Sequence, residues 1–249
     1  MSVSSVTELV AGKVYALHNT FELNGKISAY PEKARGFSPA NCYLLIDEKA
    51  AMLLDTGYTA HEGAILEQLD SLLDREMPLS IFPLRINEFM SVCNTMAIAK
   101  RFNVVECFSN VPNIEEWVEF ETLRGEERNP ILKTTLLGRG EQSEVFLGEK
   151  RKINVLTAPI RLISTRWIYD ESSKILFSSD SKKYCDIAKK HGAYVPFYRS
   201  EKASSDISQY PFFVSIWSKL PIQSPLLLKA SSPSLIRELI LSSTAVIKY

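Results

Sequence analysis

Asp55 closes the apolar run Ala51-Met-Leu-Leu54 and is followed at once by Thr56-Gly57, so a strand ends in a carboxylate and the chain turns through a glycine. That places an acid at the mouth of a fold. Three histidines, His18, His61 and His191, are the only imidazoles. His18 lies in a first strand region, His61 starts a helix and His191 ends one, so all three read as surface or capping residues rather than ligands. Four cysteines, Cys42, Cys93, Cys107 and Cys185, include no C-x-x-C pair and none has a histidine close in sequence. Cys42 and Cys107 fall in apolar strands and read as buried thiols. Cys93 reads as the first residue of a helix, where a thiol pKa is lowered, and is the candidate for redox sensing. No glycine-rich phosphate loop is present, so no flavin is implied.

The elements that must position these groups follow from periodicity and turn chemistry. Asn41–Ile46 and Ala51–Leu54 read as two strands buried on both faces, joined by the charged turn Asp47-Glu-Lys49. Ala64, Ile65, Leu69, Leu72 and Leu73 recur at helical spacing and predict a helix over about Ala60–Asp74. Lys13–Leu17 reads as a short first strand, and Asn24–Pro39 as a surface loop. Pro78–Pro83 is a β stretch bounded by prolines, Cys93–Phe102 a helix ending in Lys100-Arg101, and Val104–Phe108 the next strand. Asn113–Glu144 is charged and weakly periodic and predicts an irregular excursion or small subdomain. Ser143–Gly148 with Lys152–Thr157 forms a second hairpin. Strands at Arg161–Tyr169 and Lys174–Phe177 follow, separated by the turn composition Asp170-Glu-Ser-Ser173. A helix over Ser181–Lys190 comes next, and Tyr210-Pro-Phe-Phe213 with Trp217 reads as core packing or the apolar centre of a dimer contact.

Charge and hydropathy narrow the function classes. Lysine plus arginine equals aspartate plus glutamate at 29 each, so no net field favours nucleic acid or an anionic membrane. No apolar run approaches the roughly 20 residues that span a bilayer. The amino terminus, Met-Ser-Val-Ser-Ser, is polar and carries no secretion pattern, and together with unpaired cysteines this predicts a soluble cytoplasmic protein. With 249 residues and 45% hydrophobic content the chain is read as one domain, residues 1–249.

Strand, hairpin turn, strand, Asp-Thr-Gly and helix, in that order, resemble the opening of a metallo-β-lactamase-fold domain. Asn41-Cys-Tyr-Leu-Leu-Ile46, Leu54-Asp-Thr-Gly-Tyr58, Ala158-Pro159, Trp167-Ile-Tyr-Asp170 and Ile175-Leu-Phe-Ser-Ser-Asp180-Ser are similar to its flavodiiron and oxygen-binding di-iron branch, over about Val6–Arg237. The resemblance implies an α/β (α+β) fold, an αββα sandwich of two repeated halves, a head-to-tail homodimer, and a di-metal centre held by a dense run of histidines and carboxylates. Here that run reads Arg85-Ile-Asn-Glu-Phe-Met-Ser91. If Glu88 takes the second ligand position, Ile86, Met90 and Ser91 stand where two histidines and an aspartate are expected. No histidine falls near Arg161–Ile163 or in Leu228–Pro233, where two later ones are expected. Asp180 matches the bridging carboxylate, and Asp55 is a supporting residue in this branch.

A site with Glu88, Asp180 and no imidazole suits a hard, weakly held cation such as Mg²⁺ or Mn²⁺, and does not suit dioxygen chemistry or a zinc-bound hydroxide. Carboxylates brought together by the fold need neutralising, since burying them unpaired costs several kcal/mol or forces protonation. Arg85 and Arg161, with Arg166 farther along the same strand, are the available cations. Two arrangements stand open: Arg85 and Arg161 form a buried network with Asp55, Glu88 and Asp180, or the arginines point to solvent. The corresponding functions are a pseudoenzyme with a degenerate metal site, binding a protein or small-molecule partner without catalysis, and a divergent metal-dependent hydrolase or oxidoreductase using the residual carboxylates. The first is the preferred expectation, with no cofactor beyond a weakly bound divalent metal.

Overall fold

The computed structural model describes residues 4–24, 33, 36–118, 130–138, 142–157 and 165–177. Their strands fall in two sheets. The first runs in chain order through β1 (Ser4–Val10), β2 (Val14–Leu23), β3 (Gly36–Asp47), β4 (Ala50–Leu54), β5 (Leu79–Phe82), β6 (Val104–Ser109) and β7 (Thr134–Leu136). The second contains β8 (Gln142–Leu147), β9 (Arg151–Thr157), β10 (Arg166–Asp170) and β11 (Ile175–Phe177), all antiparallel. In the first sheet pairing is antiparallel up to β4 and parallel from β4 to β7. Parallel neighbours need a crossover. Helix α1 (Glu62–Asp70) makes one, and α2 (Phe89–Val92) with α3 (Thr95–Arg101) makes the next.

The apolar runs of β3 and β4 are explained by burial on both faces. Tyr43, Leu45, Met52 and Leu54 point between the sheets and pack with Ile153, Val155, Ile168 and Phe177. Cys42, Leu44, Ala51 and Leu53 point the other way, against Ile65, Leu69, Met96 and Ile98 of the helices. Each alternate residue therefore serves a different core, which removes the polar alternation of a half-exposed strand. The Tyr43 and Phe177 rings, 5.1 Å between centroids, join the two sheets toward the carboxyl end of β4.

Several elements differ from the sequence reading. β1 is an edge strand of mixed polarity, held through its register with β2. The loop expected at Asn24–Pro39 ends earlier, because β3 already begins at Gly36, which pairs with Leu23 at the end of β2. The first helix ends at Asp70 rather than Asp74. The helix expected over Cys93–Phe102 is α3 and begins at Thr95, and a separate short helix, α2, precedes it, with Cys93 and Asn94 between the two. Within the excursion, α4 (Glu115–Val118) and β7 are tied by the Thr134 hydroxyl, which donates to Glu115 at 2.6 Å. Residues 119–129, Ala158-Pro159, Arg161, Asp180, the helix expected over Ser181–Lys190 with Cys185, His191 and the Tyr210–Trp217 aromatic group lie outside the described residues. No helix among the described residues is long and apolar enough to cross a membrane.

Candidate functional site at the ends of β4 and β5

Asp55 follows β4 with φ 60°, a left-handed conformation that costs an L-residue roughly 1–2 kcal/mol. Hydrogen bonds hold it there. Its N–H donates to the Phe82 carbonyl at 3.1 Å, and its buried carboxylate accepts the Leu84 N–H at 2.8 Å. The acid at the sheet mouth thus fixes the chain leaving β5. Gly57, with φ 76°, is the turn itself, and a Cβ there would lie 2.3 Å from Ile65 Cδ1. Its N–H donates to the Met90 carbonyl at 2.7 Å. Asn94, fully buried, donates its amide to the Thr56 carbonyl at 2.8 Å and the Tyr58 carbonyl at 3.1 Å, while its own N–H donates to Thr56 Oγ1 at 3.2 Å. Asn94 was not singled out from the sequence. An asparagine immediately before a helical run was the signal, although here its side chain bonds the neighbouring loop instead of capping α3.

The loop between β5 and α2 is built around Arg85. Its N–H donates to Ser91 Oγ at 3.2 Å and its carbonyl accepts the Glu88 N–H at 2.8 Å. The Arg85 side chain, 8% exposed, forms an ion pair with Glu88, and its guanidinium lies 3.9 Å from Met90 Sδ. The same segment is stitched to the second sheet, since Arg85 bridges Thr165 and the Arg166 N–H donates to the Leu84 carbonyl at 2.8 Å. Leu84 points into the core between the sheets and Ile86 into the core under the helices.

At the positions where the resemblance expects histidine, aspartate and histidine, the chain therefore carries a core hydrocarbon (Ile86), a thioether against a guanidinium (Met90) and a hydroxyl accepting a backbone N–H (Ser91). These groups do not fit a di-iron or di-zinc centre, which takes imidazoles and carboxylates. Among the described residues no group of three or more His, Cys, Asp or Glu side chains is placed to hold a metal ion. Of the five residues named as a network, Arg85 and Glu88 are brought together. Asp55 lies one residue removed, bonded to the Leu84 N–H, and Arg161 and Asp180 fall outside the described residues.

Arg166 is also buried, its guanidinium donating to Thr157 Oγ1 and to the Gly138 carbonyl at 3.0 Å, and burial lowers its pKa. A further ion pair that sequence inspection missed joins Arg151 to Asp170. Nη2 meets Oδ2 at 2.6 Å and Nε meets Oδ1 at 3.2 Å, with the side chains 4% and 0% exposed. Arg151 also donates to the Ile46 carbonyl at 2.6 Å, which ties the two sheets together.

The histidines and Cys93 require correction. His18 and His61 are buried, 6% and 4% exposed, rather than surface groups, and although His61 occupies the N-cap position of α1 its side chain makes no capping hydrogen bond. His18 Nδ1 meets Asn41 Oδ1 at 2.6 Å, and His61 Nε2 meets the Thr20 carbonyl at 3.1 Å. Cys93 is the C-cap of α2 and lies just ahead of Asn94, the N-cap of α3, rather than being the first residue of a helix. Cys42 and Cys107 are buried as expected, and burial pushes both thiols up, Cys107 to about 12.

No protein-family model matches the sequence, and no curated protein sequence does. Solved structures do. A rubredoxin oxygen:oxidoreductase from Desulfovibrio gigas superposes with a TM-score of 0.52 at 18% identity, covering 71% of this chain and 41% of that one. A flavo di-iron protein variant from Thermotoga maritima gives 0.53 at 18% identity, covering 85% of this chain and 48% of that one. A diflavin flavoprotein fragment from a Nostoc species gives 0.54 at 12% identity, covering 88% and 96%. The chain spans less than half the length of the first two proteins. A mixed sheet packed on an antiparallel one, with helices on the outer face of the first, and these superpositions give one conclusion: the chain has the metallo-β-lactamase fold in the form shared by flavodiiron proteins.

Proposed function

We propose that this chain is a non-catalytic binding or sensory protein, a pseudoenzyme on a metallo-β-lactamase fold whose di-metal centre has given way to an arginine-held loop. The observation that carries this reading is the Arg85 guanidinium, which lies against Glu88 and Met90, two of the positions where ligands are expected. A fixed guanidinium there supplies the positive charge that a metal would otherwise bring, and Glu88 is neutralised without one. Such a protein recognises a protein or small-molecule partner through its scaffold, works in the cytoplasm and pairs as a homodimer. The test is elemental analysis of protein purified from iron- and zinc-supplemented medium, with the oligomeric state measured by light scattering. Substoichiometric iron and zinc is the expected result. Two equivalents of either metal per chain would overturn the reading and leave the competing one, a divergent metal-dependent hydrolase or oxidoreductase on Glu88 and Asp180.

A further inference from the structure

Three consecutive β2 residues, His18, Asn19 and Thr20, are buried although all are polar, with exposures of 6%, 0% and 0%. Each is held by a different element. His18 meets Asn41 on β3, Asn19 donates to Gln68 Oε1 on α1 at 3.0 Å, and the Thr20 carbonyl meets His61 ahead of α1. Gln68 in turn donates to the carbonyls of Ser5 on β1 at 3.0 Å and His18 at 3.2 Å. This girdle sits where β2 passes from the apolar sandwich, with Leu17 at 0% exposure, into the outer pairing of Phe21–Leu23 with Gly36–Ser38. Imidazole adds a group that changes charge.

The tautomer is set by the contacts. Asn41 Oδ1 accepts, so His18 Nδ1 carries the proton, and Nε2 is left as a lone pair, buried and without a hydrogen-bond partner among the described residues. A proton added at Nε2 creates a buried cation and a buried donor together, both of which water would solvate if the strand opened. The titratable groups on the surrounding elements are Glu8 on β1, Tyr15 and Glu22 on β2, Cys42, Tyr43 and Asp47 on β3, Asp55 beyond β4, and Glu62, Glu67 and Asp70 on α1. None of them is a cause of the shift of either ring.

We propose that the His18–Thr20 girdle is a proton-operated hinge, which holds the outer half of the β2–β3 pairing closed while His18 and His61 are neutral and releases it when they are charged. The sign follows from linkage. Burial, opposed by the Asn41 and Thr20 contacts, lowers both imidazoles in the closed state, whereas the open state has the ordinary value near 6.5. The closed state is fully favoured above that value and loses ground as pH falls below it, until the lowered pKa of the closed state is reached. Within that window opening rises about tenfold per pH unit for each imidazole that charges.

Amide exchange between pH 7.5 and 5.0, corrected for the intrinsic rate, tests this on the whole chain. Protection at Asn19–Leu23 and Phe37–Asn41 should fall with pH while Ala51–Leu54 stays protected, and the fall should be lost in His18→Gln/His61→Gln. An imidazole NMR titration of the unmutated protein should show His18 of the closed state still neutral where protection begins to fall and charging only below the ordinary imidazole value, which keeps the test open if the double variant does not fold. Flat protection across the range, an equal fall in the double variant, or a His18 that charges at or above the ordinary value while the strand is closed would each overturn the hinge.

Discussion

Arg85 and Glu88, three residues apart on the loop after β5, form an ion pair whose arginine is 8% and whose glutamate is 27% exposed. Removing the cation leaves a partly covered carboxylate beside Met90 and empties a volume under the loop. Arg85→Met should cost about 1–3 kcal/mol in urea unfolding, and Glu88→Gln about 1 kcal/mol, since the more exposed amide keeps an acceptor. A double-mutant cycle should return a coupling of roughly 0.5–3 kcal/mol. Additive effects would place the guanidinium elsewhere in solution.

Arg151 and Asp170 are a different kind of pair, fully buried and satisfied on nearly every atom. Asp170 also accepts N–H groups from Ser172 at 3.1 Å and Ser173 at 3.3 Å, and so closes the β10–β11 turn while anchoring the arginine. Arg151→Met alone should lose about 3–5 kcal/mol, because an uncompensated carboxylate is left in the core. Pairing it with Asp170→Asn, which keeps an acceptor for the turn, should lose less than the sum of the two single changes. Thermal and denaturant melts of the four proteins decide it.

At Gly57 the turn after β4 meets both Ile65 of α1 and the Met90 segment. Alanine there meets Ile65 Cδ1 at 2.3 Å and takes a positive φ as well, so Gly57→Ala should cost about 2–5 kcal/mol from overpacking and backbone strain. Adding Ile65→Val removes the clashing methyl and should restore part of that loss, leaving the strain. Equal stability of the single and double variants would show that the clash relaxes by another route.

The parts of this fold legible in the sequence were those whose side chains report burial directly. Leu44–Ile46 and Met52–Leu54 announce strands covered on both faces, and the turns at Asp47 and Asp170 announce themselves by composition. β1 was missed because an edge strand such as Ser4–Val10 has one paired side and little apolar pattern. His18, Asn19, Thr20 and Gln68 were illegible for the opposite reason: polar residues are read as exposed, and only the tertiary arrangement supplies the partners that let them be buried. The break at Cys93-Asn94 has the same origin, because Asn94 is held by Thr56 and Tyr58, more than thirty residues earlier. At the site, the need to neutralise the carboxylates that the resemblance brings together suggested Arg85 with Glu88, while the turning of Ile86 into the helix-side core depended on the stitching of Leu84 and Arg85 to β10.

Anomalous diffraction at the iron and zinc absorption edges, from crystals grown with both metals present, tests the central claim at the atoms concerned. Peaks are expected to be absent between the Asp55 turn, the Arg85–Glu88 loop and the start of β10, with ordered guanidinium density for Arg85. Two peaks there, separated by the roughly 3.5–4 Å of a paired-metal centre, would contradict it.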